Sequence, residues 1–143
     1  MIVIGSVVLV LIVAAWLMWF MTNRSNPEPQ FPVGSGVHTA ENGPLPPWPV
    51  GDSDVRVQVN TVTSRSAEVL LHTPTDTAKT KATLAIGDTA SLGDVTIRLC
   101  ATWVNKTSQP LWDDSVGSSA YSDRIYYVFS TDGPAPACPQ QVN

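Results

Sequence analysis

Residues Ile2 to Met21 form one continuous apolar run with no charged residue and no proline, and this run constrains the chain more than anything after it. Twenty helical residues at 1.5 Å rise extend ~30 Å, the thickness of a bilayer's hydrocarbon core. The segment is therefore predicted to be a single transmembrane helix. Trp16, Trp19 and Phe20 gather at its C-terminal end and are followed by Thr22, Asn23, Arg24 and Ser25, the order of an aromatic interfacial belt and a polar stop. The membrane surface is expected near Trp19 to Arg24. A cleaved signal peptide is the competing reading, and it fits less well. The run lacks a basic n-region, exceeds an ordinary h-region and is not followed directly by a small-x-small site. No cysteine follows the run, which disfavours a lipoprotein anchor.

Arg24, the only nearby side-chain cation, lies on the C-terminal side and on its own would favour a cytoplasmic body. A very short N-terminus and two cysteines suited to an oxidising compartment argue the other way. The expected arrangement is a single-pass cell-membrane protein with a cytoplasmic N-terminus and an extracytoplasmic C-terminal domain.

Between residues 26 and 52 the composition changes. Seven of the twelve prolines fall here (Pro27, Pro29, Pro32, Pro44, Pro46, Pro47, Pro49), together with Gly34, Gly36, Gly43 and Gly51. Such a segment cannot build a helix or a sheet interior and favours polyproline II and turns, so it reads as a stalk or a wrapping strap. Fully extended at ~3.1 Å per residue it would hold a domain up to about 80 Å away, with the glycines shortening that reach. Phe31, Val33, Leu45, Trp48 and Val50 are apolar residues that a purely solvated spacer does not need. Leu45, Trp48 and Val50 are expected to tuck against the domain; docking on a partner chain is the alternative, with Phe31, Leu45 and Trp48 as its candidate contacts.

From residue 53 to 143 the pattern is short strands with turn punctuation. Val55, Val57 and Val59 alternate with Arg56, Gln58 and Asn60, the period of a half-buried strand. Further strands are expected over Glu68–Thr73, over Lys81–Ile86 (Ala82, Leu84 and Ile86 inward), over Val95–Trp103 and over Arg124–Ser130. Gly87-Asp88 and Gly93-Asp94 mark turns. The inward face of the longest strand is predicted to run Val95, Ile97, Leu99, Ala101, Trp103. With no amphipathic helix longer than two turns, the fold class expected is one N-terminal transmembrane helix plus a small all-β, antiparallel, immunoglobulin-like sandwich. The domain organisation is then a 1–25 anchor, a 26–52 Pro/Gly-rich strap and a 53–143 extracytoplasmic β-sandwich.

Cys100 and Cys138 are the two cysteines of the chain. In an exported domain they should form a structural disulfide that pins the tail from Gly133 to Pro139 onto the sheet and contributes about 4 kcal/mol by loop closure. A redox or metal pair lacks both C-x-x-C spacing and a neighbouring histidine cluster.

Catalytic chemistry is weakly represented. His38 and His72 have no Cys, Asp or Glu at triad or metal-ligand spacing. Asp113-Asp114 beside Trp112 would suit a calcium or sugar site, but an acidic pair is ordinary on a loop. No serine lies in a G-x-S-x-G context, Gly34-Ser35-Gly36 opens no helix, and Asn105-Lys106-Thr107 is a chance-level glycosylation acceptor. Neither a cofactor nor a metal is expected, and the chain does not read as an enzyme. With 8 Lys+Arg against 12 Asp+Glu and a net charge of −4, nucleic acid is excluded as a partner, since phosphate contacts need clustered cations.

An interaction subunit fits this combination. Its helix would pack through the small residues Gly5, Ser6, Ala14 and Ala15 against polytopic membrane subunits within the lipid bilayer, although the two patches are separated by more than two turns and form no GxxxG motif. The short-headed anchor Ile2–Met21, the strap and the domain bearing Cys100 and Cys138 resemble the single-pass accessory subunits of actinobacterial respiratory supercomplexes, as does the Ala-, Val-, Thr- and Asp-rich, lysine-poor composition. The resemblance implies a non-catalytic part that binds and stabilises a cytochrome bcc and terminal-oxidase assembly. The absence of a C-x-x-C-H haem attachment agrees with it. A second hypothesis is a free-standing envelope module that recognises cell wall, glycan or peptide through Trp103, Trp112 and Tyr121 with Asp113 and Asp114. A third, a small anchored enzyme, would require His72 to converge with carboxylates in a pocket.

Overall fold

The structure, a computed structural model, describes residues 2–22, 27–43, 47–75, 77–104 and 123–142. Among these described residues one helix, α1 (Ile2–Thr22), precedes eight strands: β1 (His38–Glu41), β2 (Trp48–Pro49), β3 (Arg56–Val62), β4 (Ser66–His72), β5 (Lys79–Ala85), β6 (Thr89–Leu92), β7 (Val95–Trp103) and β8 (Arg124–Ser130). Among the described residues no helix is long and apolar enough to cross a membrane. The transmembrane expectation rests on the sequence of the whole segment.

The strands form two four-stranded antiparallel sheets, ordered β1-β8-β7-β6 and β2-β3-β4-β5. Val57, Val59, Val69 and Leu71 from one sheet and Ile97, Leu99, Ile125 and Tyr127 from the other belong to a single buried core. The alternation of β3 explains its half of that packing, since the valines are buried and Arg56 and Gln58 are not. Two antiparallel sheets around one core answer to the expected sandwich. Their connectivity differs from that of an immunoglobulin domain, which pairs non-consecutive strands in an ABED sheet. Here, among the described strands, β2 to β5 and β6 to β8 pair in sequence order, and β1 beside β8 is the one non-consecutive pair.

The strap is not a stalk. It supplies β1 and β2, and Val50 is completely buried, so the β fold takes in residues that the sequence assigns to a separate segment. Both strands occupy sheet edges, where a proline-rich sequence costs fewest ladder hydrogen bonds. Pro49 pairs with Arg56 on such an edge.

Two further expectations are corrected. Ile86 is half exposed, because β5 ends at Ala85 and a turn follows, closed by the Ala85 N–H donating to Asp88 Oδ2 (3.0 Å). The inward series of β7 stops at Leu99. A register shift between Leu99 and Ala101 against β8 inserts Cys100 as an extra residue, and such a bulge reverses which face later side chains occupy. Ala101 then pairs with Tyr126 and Trp103 with Arg124 on the outer face, while Thr102 turns inward opposite Ile125. There its hydroxyl oxygen is buried without a hydrogen-bond partner.

Candidate functional site

The β7 bulge builds the most polar cluster of the described chain. By sending Trp103 outward it places the indole beneath the Arg124 guanidinium, 5.5 Å from the ring centroid. Arg124 opens β8 opposite Glu41 of β1, and its Nε donates to Glu41 Oε1 at 2.7 Å. Its Nη1 donates to Glu28 Oε1, also at 2.7 Å, and the Tyr126 hydroxyl donates to the same oxygen at 2.5 Å. Glu28, set between Pro27 and Pro29, is thus fixed by two charge-assisted hydrogen bonds. Phe31, one turn of strap further on, rests on Tyr126 with ring centroids 5.6 Å apart.

The C-terminal tail closes over the same sheet. Cys100 and Cys138 form a disulfide, so the predicted bridge is present. Arg98, two residues before the bulge, donates from Nε to the Pro136 carbonyl (3.0 Å) and from Nη1 to the Gly87 carbonyl (2.8 Å). The Val142 N–H then donates to the Gln30 carbonyl (2.9 Å). Strap and tail are joined to each other as well as to the sheet.

The electrostatics follow from this geometry. Tyr126's hydrogen bond and Arg124's charge and hydrogen bond hold the Glu28 carboxyl below its ordinary value against a partial desolvation that acts the other way. Burial, reinforced by the Glu28 carboxylate, raises the Tyr126 phenol. Burial alone pushes Tyr127 up to about 12. A carboxylate whose value is depressed on folding stabilises the fold above its unfolded value, and that contribution is lost as pH falls through the folded value. Strap attachment is accordingly expected to be complete above about pH 5 and to weaken progressively below about pH 4.5. Amide exchange at Val142, whose N–H donates to the Gln30 carbonyl of the strap, should report the change. Glu28→Gln should raise exchange at neutral pH and abolish its acid dependence; an acid response retained in that variant would assign it to another carboxylate. The ion pair is about one-third exposed on both sides, so the effect on global stability should be small.

Of the residues singled out in the sequence, Phe31 is half-buried against its own domain and Trp48 packs against the core from β2. Trp48 therefore follows the tucking-in expectation. Leu45, Trp112, Asp113, Asp114 and Tyr121 lie outside the described residues. Gly5, Ala14 and Ala15 are exposed along α1, and a Cβ built at Gly5 meets nothing within 4 Å. Gly5 and Ala14 are nine residues apart, two and a half helical turns, which puts them on opposite sides of the helix rather than on one packing stripe. His38 stacks near Phe129, with centroids 4.9 Å apart. His72 stands on the outer face of β4, between Arg56 and Lys79. Among the described residues no group of three or more His, Cys, Asp or Glu could hold a metal ion. The Glu28–Arg124–Tyr126 cluster escaped sequence reasoning because Glu28 is separated from its partners by 96 and 98 residues, and no local pattern links them. No protein-family model, curated protein or solved structure matches the chain.

Proposed function

We propose that the protein is a membrane-anchored, non-catalytic accessory subunit of a larger membrane protein complex, with α1 in the bilayer and the β domain covering an extracytoplasmic surface next to it. The observation that carries the reading is the fastening of the strap at Glu28. Six residue steps separate Thr22 from Glu28, and even fully extended they reach only ~22 Å. A domain on so short a lead stays beside the bilayer and the membrane-embedded parts of its neighbours, in place of the ~80 Å reach of an extended stalk. Support for the anchor comes from the 21-residue helix Ile2–Thr22, which carries no charge, and from apolar side chains around it that stand well exposed, among them Leu9, Val10 and Leu11. A helix that is apolar all round needs an apolar surrounding. The disulfide agrees with an oxidising compartment. Within this reading, the resemblance to respiratory supercomplex subunits supplies the specific assembly to test.

Purification of the tagged protein in mild detergent at native expression, with mass spectrometry and an absorption spectrum of the co-purified material, is the deciding experiment. The expected result is a stoichiometric set of polytopic subunits, coloured by haem if the assembly is respiratory. A clean monomer that resists carbonate extraction would sink the accessory-subunit reading and favour the envelope-binding module. Loss from the membrane fraction would sink the anchor itself.

A further inference from the structure

The two sheets use their outer faces differently. On β1-β8-β7-β6 the outward-facing Ala101, Tyr126 and Val128 are at most 5% exposed, and strap and tail both bond across this side of the molecule. On β2-β3-β4-β5 the outward residues Arg56, Gln58, Leu70, His72, Lys79 and Lys81 are all half-buried or exposed. Sheet registry gives this open face a pattern that the linear sequence hides. Arg56 pairs directly with His72, and His72 directly with Lys79. At ~4.8 Å between strands, the three form a row about 10 Å long. The next row is Gln58, Leu70 and Lys81. Gln58, Leu70, His72 and Lys79 line a shallow depression of about 400 Å³.

Arg56 and Lys79 stand on either side of His72, about 10 Å apart across two strand spacings, and few acids of the described sheet offset their charge. Arg56, His72 and Lys79 have no ion-pair or hydrogen-bond partner among the described residues. Lys81 is paired with Glu68 at 3.2 Å, and Glu68 is the only acid within β3, β4 and β5. The nearest acids in the sequence are Asp54, two residues before Arg56, and Asp76, three residues before Lys79 and outside the described residues. In a protein with only 8 Lys+Arg and a net charge of −4, three of those cations share this one face. A polyphosphate chain would meet the net negative remainder within a Debye length or two of leaving the patch. A local acidic site beside an apolar contact for Leu70 would not.

We propose that the outer face of β2-β3-β4-β5 is the docking surface of the β domain, and that its occupant is an acidic protein surface whose Asp or Glu side chains meet Arg56, His72 and Lys79 around an apolar contact on Leu70. This rests on the accessory-subunit reading and deepens it by naming the surface and the chemistry of the partner.

Zero-length carbodiimide coupling in native membranes tests it, because the amide forms only where a lysine amine touches a carboxylate. The expected result is a Lys79 cross-link to an Asp or Glu of a co-purifying subunit. The internal Lys81–Glu68 link serves as a control for the fold. The double variant R56E/K79E should lower the recovered partner at least tenfold, and the neutral R56Q/K79Q less, while the internal link and carbonate resistance persist. Undiminished recovery with R56E/K79E, or a bound partner with Lys79 unlinked, overturns the proposal; the latter is also what an anionic lipid occupant would give. Wild type in the membrane with no partner at all would overturn the accessory-subunit reading and this surface together, whereas a partner retained by the charge-reversed variant would overturn the surface alone.

Discussion

Replacing both cysteines by serine (C100S/C138S) is expected to destabilise the β domain by about 4 kcal/mol, the loop-closure entropy of a 38-residue separation. For roughly 115 residues that corresponds to a drop in Tm on the order of 15 °C. The bridge does more than shorten the unfolded chain. It holds the tail in reach of Arg98, whose guanidinium donates to Pro136, and of the strap, where Val142 meets Gln30. Loss of the disulfide should therefore raise amide exchange at Val142 before the sheets open, while Leu71 and Ile97 stay protected. A thermal melt with and without reductant checks the magnitude. A melting temperature unchanged by reduction would remove Cys100 and Cys138 from the account of stability.

Gly51→Ala should be the most damaging of the small substitutions outside the core, and Gly93→Ala shows why. The two glycines have nearly identical left-handed backbones, φ +58 and +59, so an alanine at either pays the same ~1–2 kcal/mol for placing a Cβ there. Around Gly93 nothing lies within 4 Å of that Cβ, whereas at Gly51 it would stand 2.6 Å from Cζ of Phe129. The ring would have to move, and it is hemmed in by His38. Overpacking of this kind costs a further ~1–3 kcal/mol. Urea unfolding of the two variants should separate the terms, with Gly51→Ala the less stable by that margin. Equal losses would mean that Phe129 yields freely.

The same ring shows why the sequence alone leaves open whether residues 26–52 form a stalk or a strap wrapped on the domain. Locally, residues 26–52 carry only the signals of a spacer: prolines, glycines and scattered apolar residues. What makes them part of the fold is distant, namely Phe129 over Gly51, Tyr126 against Phe31 and Arg124 on Glu28. The partial foresight lay in the apolar residues, since Trp48 and Val50 do tuck in. The bulge at Cys100 was equally invisible. Alternation from Val95 to Trp103 is unbroken in the sequence, and only pairing with β8 shows that one residue too many separates Leu99 from Ala101.

Period-two burial, the turns at Gly87 and Gly93, an N-terminal helix and the disulfide pair were determined by the sequence alone, because each depends on residues that are neighbours along the chain or on the sole pairing two cysteines permit. Which strands share a sheet, the outward turn of Trp103, the Glu28 latch and the Arg56–His72–Lys79 row were decided by tertiary structure. All of them depend on register between strands, and register is set by how two sheets bury one common core.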